Sequence, residues 1–430
     1  MSFSELEQKV IKAIDDNKEK IIEVAQKILE NPELGYKEFE TSKLIKEEFE
    51  RLSLKITENI AYTGVKGVIG NEKDFNVCIM GELDSVVCTE HKYAGKDGAA
   101  HACGHNGQLA SMLGAAIGIT SSGVMNELKG GVTFMAVPAE EFIDVEYRSK
   151  LKEEGKIKYF GGKQQLIAEG AFDDADAVMM VHAQPDTPDA KVFVHATSLG
   201  FVHKTVTFKG KSVHAASPFD GVNALNAASL ALLGMHANRE TYRDEDKVRV
   251  HFIVTKGGVV SNAVPDEVVI DGQVRAKNIP AMKKADANTN RAINGAAMMV
   301  GAEAEINTVM GYQPFNQDYN LGELFKEVSA KFIGAENIRD DVDMTGSSDV
   351  GDLSHLIPTI QPMVGGFSGQ LHSKEFKAAD EYTAYVLPAK IMAVTAIRLL
   401  ADDCRLGKDI KNKFKPTMTK QEYLKLLEGE

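Results

Sequence analysis

The chain has 430 residues, which is enough for two or three domains, and its 43% hydrophobic and 26% charged residues are ordinary for a globular protein. The net charge of −13 argues against binding to nucleic acid or to an anionic membrane, because both need a basic surface. Four cysteines are too few for a disulfide framework, the charged start lacks the apolar core of a signal peptide, and no stretch approaches the ~18 apolar residues of a membrane span. These features predict a cytoplasmic protein that binds neither nucleic acid nor membrane.

The first part of the chain alternates helical and strand-like segments. Residues 4–52 have apolar residues at helical spacing and predict two helices separated by NPELGYKE. Short apolar runs bounded by Gly, Pro or Asp predict buried strands at VKGVIG, FNVCIM, VTFMAVPA and AVMMVHAQ, with a helix over ASMLGAAIGI. This alternation predicts an α/β domain over residues 1–196, with a mixed sheet covered by helices on both faces.

A different pattern begins near residue 197. The predicted elements are a strand FVHKTVTFKG, a helix NALNAASLALLGMHA, strands KVRVHFIVTKG and DEVVIDGQVRAK, a helix near 282–300 and a strand AEAEINTVMGY. This β-α-β-β-α-β order predicts a ferredoxin-like α+β domain inserted over residues 197–313. The strand TIQPMVGG and the apolar helix VLPAKIMAVTAIRLLA then predict that the first domain resumes over residues 314–430.

The sharpest local signal is the segment HACGH, in which Cys103 and His105 stand two residues apart. The small Ala102 and Gly104 leave room for both side chains to project from one side of a loop. A thiolate with an imidazole suits zinc, cobalt, nickel or manganese. By itself the pair also fits a buried structural cysteine near a histidine. A zinc ribbon is a poor alternative because the chain contains no CxxC pair.

Three further elements of the same chemical type lie at or beside predicted strand ends. Glu140 and Glu141 close PAEE, where one carboxylate could bind metal while the other acts as general base, although such pairs are more often solvated. His182 follows the apolar run VMMV, and His372 lies in the Gly-rich segment GGFSGQLHSKEF. Alone, the first histidine fits a core residue and the second a surface residue. Because open α/β sheets bind ligands at strand ends, the elements together indicate one metal site.

With these motifs the chain resembles the metal-dependent amidohydrolases and exopeptidases that include carboxypeptidase G and the plant auxin-conjugate hydrolases. Within them it is most similar to the cysteine-using, p-aminobenzoyl-glutamate hydrolase-like branch. The resemblance covers about residues 10–402 and rests on GELDSV, HACGHN, PAEE, VMMVHAQP, GKSVHAASP, GGVVSNAVPD, GSSDVGDLSHLIPT and GQLHSKEF. It implies a di-zinc exopeptidase-like fold in which the inserted domain forms a homodimer.

The resemblance also implies a role for each matching residue. The metal ligands would be Cys103, His105, Glu141, His182 and His372, holding two divalent ions of zinc, manganese, cobalt or nickel. Glu140 would be the general base for a metal-activated water, and Asp84 would support the metal site from behind. His214 would stabilise the oxyanion in the active site of the other subunit, while Asn262 and Arg275 would hold a substrate carboxylate or carbonyl. The implied reaction is hydrolysis of an amide bond in N-acyl or N-aroyl amino acids or small peptides.

Two departures from the family pattern bear on the metal site. Asn106 follows His105 where the auxin-conjugate type has an aspartate, so the motif leaves open whether one or two ions bind. Glu82 stands where another branch places a metal-binding histidine, and it is not predicted to be a ligand. The roles of Asp349 and His355 are open. The alternatives are a dipeptidase or aminopeptidase-type exopeptidase and a non-catalytic metal-binding relative, the second of which would be expected to have lost the base.

Overall fold

The computed structural model describes residues 3–186, 191–340 and 344–429. The chain divides into two compact units. The first consists of Met1–Thr197, Asn316–Asp343 and Asp352–Lys420, and the second of Ser198–Phe315, Met344–Gly351 and Gln421–Glu430. The sequence predicted an inserted domain over residues 197–313, and the second unit also includes Met344–Gly351 and Gln421–Glu430, which the sequence assigned to the resumed first domain.

The helices and strands follow one another along both units. In chain order the helices are α1 (Glu5–Asp16), α2 (Lys18–Glu30), α3 (Phe39–Arg51), α4 (His105–Ser121), α5 (Val145–Glu153), α6 (Gly162–Glu169), α7 (Ala224–Ala237), α8 (Ile279–Val300), α9 (Tyr319–Ile333), α10 (Val350–Ser354), α11 (Leu387–Lys413) and α12 (Lys420–Glu428). The strands are β1 (Lys55–Ile60), β2 (Gly64–Gly70), β3 (Asn76–Glu82), β4 (Val86–Val87), β5 (Ala99–Ala100), β6 (Gly131–Val137), β7 (Ala177–Met179), β8 (His182–Pro185), β9 (Val192–Phe193), β10 (Gly200–Lys209), β11 (Arg249–Lys256), β12 (Glu267–Ala276), β13 (Glu303–Met310), β14 (Ile338–Arg339), β15 (Thr359–Ile360), β16 (Met363–Ser368) and β17 (Lys377–Ala378).

The N-terminal region has three helices, α1, α2 and α3, where the sequence predicted two. The additional break falls at Asn17, whose side-chain Nδ2 donates to the Ala13 carbonyl over 2.9 Å. Such a local side-chain bond competes with the helical hydrogen-bond pattern. Helix α1 begins at a capping box, in which the Ser4 backbone N–H donates to Glu7 Oε2 over 2.6 Å.

The first unit contains a mixed six-stranded sheet, as predicted, in the order β1-β2-β6-β3-β7-β15. Strands β1, β2 and β6 are antiparallel neighbours, whereas β6, β3, β7 and β15 are parallel. Ile79 and Phe134 belong to the apolar face and join the main core with α4 and α11. On the opposite face, Glu82 at the end of β3 contacts Lys163 of α6. Helices therefore cover both faces of the sheet.

Two segments predicted as single strands are each divided between two sheets. AVMMVHAQ forms β7 in the six-stranded sheet and β8 in a second sheet, and TIQPMVGG forms β15 and β16 in the same way. The paired segments leave the first sheet together, and Pro362, which has no N–H to donate to a ladder, lies at the change. As a result His182 begins β8, opposite Met363, instead of ending a long strand.

The second unit contains a four-stranded antiparallel sheet in the order β11-β12-β10-β13. Its chain order, β10-α7-β11-β12-α8-β13, is the predicted ferredoxin-like pattern. Helices α7 and α8 share a core with inward side chains such as Val206, Phe208 and Ile270. Burial alternates along β12, so the other face of this sheet carries the half-exposed residues.

One helical stretch, Tyr382–Lys413, is apolar and long enough to cross a membrane, although the sequence was expected to contain no such segment. In the structure, 89% of its most apolar window is buried inside the protein. The side chains of Ile391, Val394 and Leu399 belong to the main core. The stretch therefore has the burial of a core helix, and its composition is weak evidence for a membrane span.

Candidate metal centre

Chemically active side chains gather where several elements of the first unit begin or end. Asp84 follows β3, and Glu140 and Glu141 follow β6. Cys103 and His105 lie at the start of α4 around Gly104, whose φ of +84° favours glycine. A Cβ at Gly104 would lie 2.7 Å from the Cβ of Ala183, so the close approach of this turn to β8 also requires glycine.

The five predicted metal ligands converge in two groups that share Cys103. The donor atoms of Cys103, His105 and His182 lie within 4.8 Å of one another, and so do those of Cys103, Glu141 and His372. Cys103 Sγ is 3.5 Å from His182 Nε2, and His372 Nε2 is 3.4 Å from Glu141 Oε1. A donor set of one thiolate, three imidazoles and one carboxylate suits zinc and neighbouring divalent ions.

Two of the histidines are oriented by hydrogen bonds to backbone carbonyls. His105 Nδ1 lies 2.8 Å from the Asp84 carbonyl oxygen, and His182 Nδ1 lies 2.9 Å from that of Ala183. Because a carbonyl oxygen can only accept, Nδ1 carries the hydrogen in both rings. Each ring therefore turns Nε2 toward the cluster, which is the usual arrangement of a metal-binding histidine.

Asp84 and Arg148 fix the chain around Glu141. Asp84 Oδ2 accepts a 2.9 Å hydrogen bond from the Glu141 backbone N–H, and its Oδ1 lies 3.4 Å from His105 Nδ1. The buried Arg148 guanidinium donates to the carbonyl oxygens of Glu141 and Phe160. Asp84 thus contacts two of the predicted ligands from behind.

The electrostatics of the cluster favour a cation. Burial raises the pKa of Cys103, but the charges of His182 and His105 lower it well below its ordinary value. Burial lowers the pKa of His105, whereas Glu82 and Asp84 raise it well above its ordinary value. Hydrogen bonds to Cys103 and Glu141 raise the pKa of His372 to about 10. These shifts arise from contacts between the thiol and the imidazoles, and metal binding releases the protons that such ligands carry.

Buried polar atoms that lack a hydrogen-bond partner also indicate that these residues fit a metal ion. His105 Nε2 and Asp84 Oδ1 are buried and have no hydrogen-bond partner among the residues that the structure describes. His105 Nε2 faces the other donors of the cluster, and a buried polar atom without a hydrogen-bond partner costs about 1–3 kcal/mol. A divalent ion among the donors would satisfy it.

The sequence did not predict the buried ion pair of Glu82 and Lys163. Glu82 Oε1 accepts from Lys163 Nζ over 2.7 Å, and both side chains are 0% exposed. Glu82 Oε2 accepts from Gln108 Nε2 over 2.9 Å and lies 3.2 Å from His105 Nε2. Glu82 thus contacts a predicted ligand through an oxygen that Gln108 already binds. A lysine in the first turn of a helix normally lies in solvent, so the sequence carried no signal for Lys163.

Asn106 has neutral neighbours, which explains why an amide suits this position. Its Nδ2 lies 3.3 Å from the Ala25 carbonyl oxygen and 3.4 Å from the Tyr385 hydroxyl. A carboxylate would face the carbonyl oxygen with like partial charge. Here Asn106 anchors the start of α4 to α2.

His214, Asn262 and Arg275 belong to the second unit. His214 pairs with Ala263 in an isolated β-bridge, and the Ala215 N–H donates to the Asn262 carbonyl over 2.9 Å. Arg275 on β12 donates to Ser347 Oγ over 3.0 Å, so the segment GSSDVG contacts this arginine. Asp349 is buried in the same unit. In the first unit, His355 Nδ1 lies 2.6 Å from Thr417 Oγ1.

Comparison with known proteins identifies the family and several related enzymes. Residues 78–396 match the model of peptidase family M20/M25/M40. IAA-amino acid hydrolase ILR1-like 2 of Arabidopsis thaliana is 29% identical over 410 residues, which are 90% of this chain and 87% of that protein. Xaa-Arg dipeptidase of Homo sapiens is 30% identical over 357 residues, which are 78% of this chain and 74% of that protein.

The fold is shared with solved structures as well. The Bacillus subtilis YXEP protein, described as a dinuclear metal binding peptidase from the M20 family, matches with a TM-score of 0.70 and 22% identity, covering 89% of this chain and 98% of that one. The family match spans most of the chain and includes Cys103, His105, Glu140, Glu141, His182 and His372. This chain therefore belongs to peptidase family M20/M25/M40, and it is a metal-dependent amidohydrolase.

Proposed function

We propose that the enzyme hydrolyses the amide bond of N-acyl or N-aroyl amino acids and small peptides, using two divalent ions held by Cys103, His105, Glu141, His182 and His372. The observation that carries this proposal is the position of Cys103. Its thiolate belongs to both donor groups, so Cys103 would help to hold each of two ions. The relatives' names support the substrate class, since they act on an amino-acid conjugate and on a dipeptide.

The ions would be zinc, manganese, cobalt or nickel. When bound, they would lower the pKa of water and polarise the scissile carbonyl. The protein's own contribution is to fix the donors. The carbonyls of Asp84 and Ala183 orient His105 and His182, and Asp84 Oδ2 holds the backbone of Glu141.

Glu140 is the proposed general base. It follows Ala139, whose φ of +53° places an alanine in the left-handed region at the end of β6. Glu140 is 6% exposed, and its carboxylate lies within 4.8 Å of the donor atoms of His105 and Glu82. There it would take a proton from the attacking water and deliver it to the leaving amine, which is worth about 10²–10⁴-fold in rate.

The second unit supplies the proposed substrate contacts and dimer interface. Arg275 and Asn262 would hold the substrate's carboxylate or carbonyl, and His214 would stabilise the oxyanion in the active site of the other subunit. An exposed edge strand and loop support a homodimer, because edge strands expose unpaired backbone groups. Val254 lies on the edge strand β11, and Val259, which is 87% exposed, and Val260 lie in the loop after it.

The four cysteines are free in the structure, so the protein needs no oxidising compartment. A reducing cytoplasm would keep the Cys103 thiol available for metal. We therefore place the enzyme there.

The test is a turnover assay of the metal-loaded enzyme with N-acyl amino acids, dipeptides and p-aminobenzoyl-glutamate. Glu140→Gln should keep the wild-type metal content and lose at least about 10²-fold in kcat. Glu146→Gln is the matched control, because Glu146 lies on the exposed surface of α5 and pairs with Lys150. Wild-type turnover by Glu140→Gln would contradict the mechanism.

A further inference from the structure

Two arginines face each other on the open side of the second unit's sheet. Arg249 of β11 is directly opposite Arg275 of β12 in the antiparallel ladder, and both line a cavity of about 460 Å³. Directly opposed residues share a face of the sheet, with Cβ atoms about 4.5–5.5 Å apart. Like charges in this position destabilise a sheet. The pair is therefore unfavourable unless negative charge lies between its members.

The protein does not supply that charge from the cavity wall. Among the described residues that line the cavity, Asp271 alone carries a carboxylate. Asp271 is bound elsewhere, because its Oδ2 lies 3.2 Å from His203 Nε2 and accepts from Thr205 Oγ1 over 2.8 Å. The neighbouring pair of the ladder on this face, His251 and Gln273, contains no carboxylate.

The polar contacts of both arginines are to neutral groups. Arg275 donates to Ser347 Oγ over 3.0 Å and to Gln273 Oε1 over 2.6 Å, and its guanidinium lies 5.4 Å from the Phe201 ring centroid. Arg249 donates to the Val248 carbonyl over 3.0 Å. Within the described part of the chain, neither arginine forms an ion pair with a carboxylate. Burial also lowers the pKa of Arg275, as expected of a desolvated charge without a counter-ion.

Positive charge continues beyond this pair. A second cavity of about 620 Å³ shares Arg249 and His251 and adds Arg239, Arg243 and Lys247. Asp244 is the one carboxylate among its described lining residues, and Glu245 outside that lining pairs with Arg243 over 3.3 Å. The whole chain has a net charge of −13, so this face is a local exception that would attract anions.

We propose that Arg249 and Arg275 together bind a dianion, either two carboxylates of one molecule or a phosphate-type group. Gln273 Oε1 already accepts from Nε and Nη2 of Arg275, so the remaining N–H donors of Arg275 and those of Arg249 would bind such oxygens. His251 and Gln273 lie beside them as further hydrogen-bonding groups. The site needs no catalysis. Its link to the reaction rests on the proposed role of Arg275: a pair that binds a dianion would select substrates with a second anionic group at that end.

The experiment is isothermal titration of the metal-loaded full chain at constant ionic strength. Glutarate and inorganic phosphate serve as dianions and acetate as a monoanion. Wild type should bind at least one dianion at least tenfold more tightly than acetate, and whichever dianion binds identifies the ligand class. Arg249→Gln should weaken that binding about tenfold or more. The difference between wild type and this variant separates the cavity from anion binding at the metal centre.

Arg291→Gln is the matched control, because Arg291 is an exposed arginine on α8 that contacts Asn288. It should bind dianions as wild type does. Glu140→Gln should also bind them normally, so a failure of the proposed hydrolysis and a failure of this site give different results. Arg249→Lys keeps the charge without the fork and should bind dianions with intermediate affinity. Equal affinity of wild type for dianions and acetate, or unchanged dianion binding by Arg249→Gln, would overturn the proposal.

Discussion

The two units differ in whether their charged side chains have a partner of opposite charge. In the first, Glu82 and Lys163 are fully buried, yet each finds its opposite charge at 2.7 Å, and Gln108 occupies the remaining oxygen of Glu82. In the second, Arg249 and Arg275 stand opposite each other beside a cavity and contact neutral groups. In the first arrangement the protein supplies both the positive and the negative charge. In the second it supplies only positive charge, which a bound anion would neutralise.

The difference helps to separate residues that build a site from those that receive a ligand. A buried charge costs several kcal/mol unless it is paired, so the fold must provide its partner. A half-exposed arginine has a smaller desolvation penalty, so its counter-ion can come from solution. By this criterion Glu82 and Lys163 position His105, while Arg249 and Arg275 face a ligand.

The largest effect should come from replacing His214, which is proposed to act in the active site of the other subunit. His214→Ala should lower kcat by about 10²–10³-fold, because a developing oxyanion loses its donor. Mixed in equal amounts with Glu140→Gln, it should recover about a quarter of wild-type activity, since half of the dimers are mixed and each contains one intact site. Steady-state assays after subunit exchange measure this recovery. Two inactive variants that stay inactive when mixed would argue against a shared site.

Removing one member of the buried Glu82–Lys163 ion pair should destabilise the first unit. Lys163→Met leaves Glu82 buried without its cation and should lower the free energy of unfolding by about 3–5 kcal/mol. Urea unfolding of the metal-free protein measures the change. Lys156→Met, which removes an exposed lysine paired with Glu154, should change stability by less than about 1 kcal/mol.

The double variant Glu82→Gln/Lys163→Met sharpens this test. It removes both charges and should recover much of the lost stability, because neither charge is left unpaired. A double variant no more stable than Lys163→Met alone would show that the pair does not act as a unit.

A smaller effect should come from the ion pair that joins α1 to α11. Arg398 Nε donates to Glu7 Oε1 over 2.6 Å. Burial raises the pKa of Glu7, but Arg398 and the Ser4 N–H outweigh burial, so the net pKa is lowered. A lowered carboxyl pKa stabilises the fold above the ordinary value of 4.5, and this contribution is lost as the pH falls through the lowered pKa.

Glu7→Gln should therefore lower the free energy of unfolding by about 1–2 kcal/mol at pH 7. Its difference from wild type should shrink as the pH is taken below 4.5, which thermal unfolding across pH measures. A difference that grows on acidification would have the wrong sign. Glu5→Gln, another change in the first turn of α1, gives the reference for an exposed carboxylate.

The sequence predicted the mixed sheet, the ferredoxin-like pattern and the family, because each leaves a local signal. Cys103 and His105 are two residues apart, and the apolar residues of the second unit recur at the spacing of helices and strands. The division of AVMMVHAQ between two sheets left no such signal, since it depends on a partner segment about 180 residues away.

Other contacts could not be predicted for the same reason, because they join residues that are far apart in the sequence. Lys163 appears solvated until α6 is placed against the end of β3. Arg249 and Arg275 are separated by 26 positions, and they face each other only in the register that pairs β11 with β12. The sequence did not predict the residues whose contacts depend on a partner far away in the chain.

Metal content tests the proposal that Cys103 would help to hold each of two ions. Purified wild type loaded with zinc or manganese should contain two ions per chain. His182→Ala and His372→Ala should each retain about one, because each removes a ligand from a different group, whereas Cys103→Ala should lose both. Wild-type metal content in Cys103→Ala would contradict the shared thiolate.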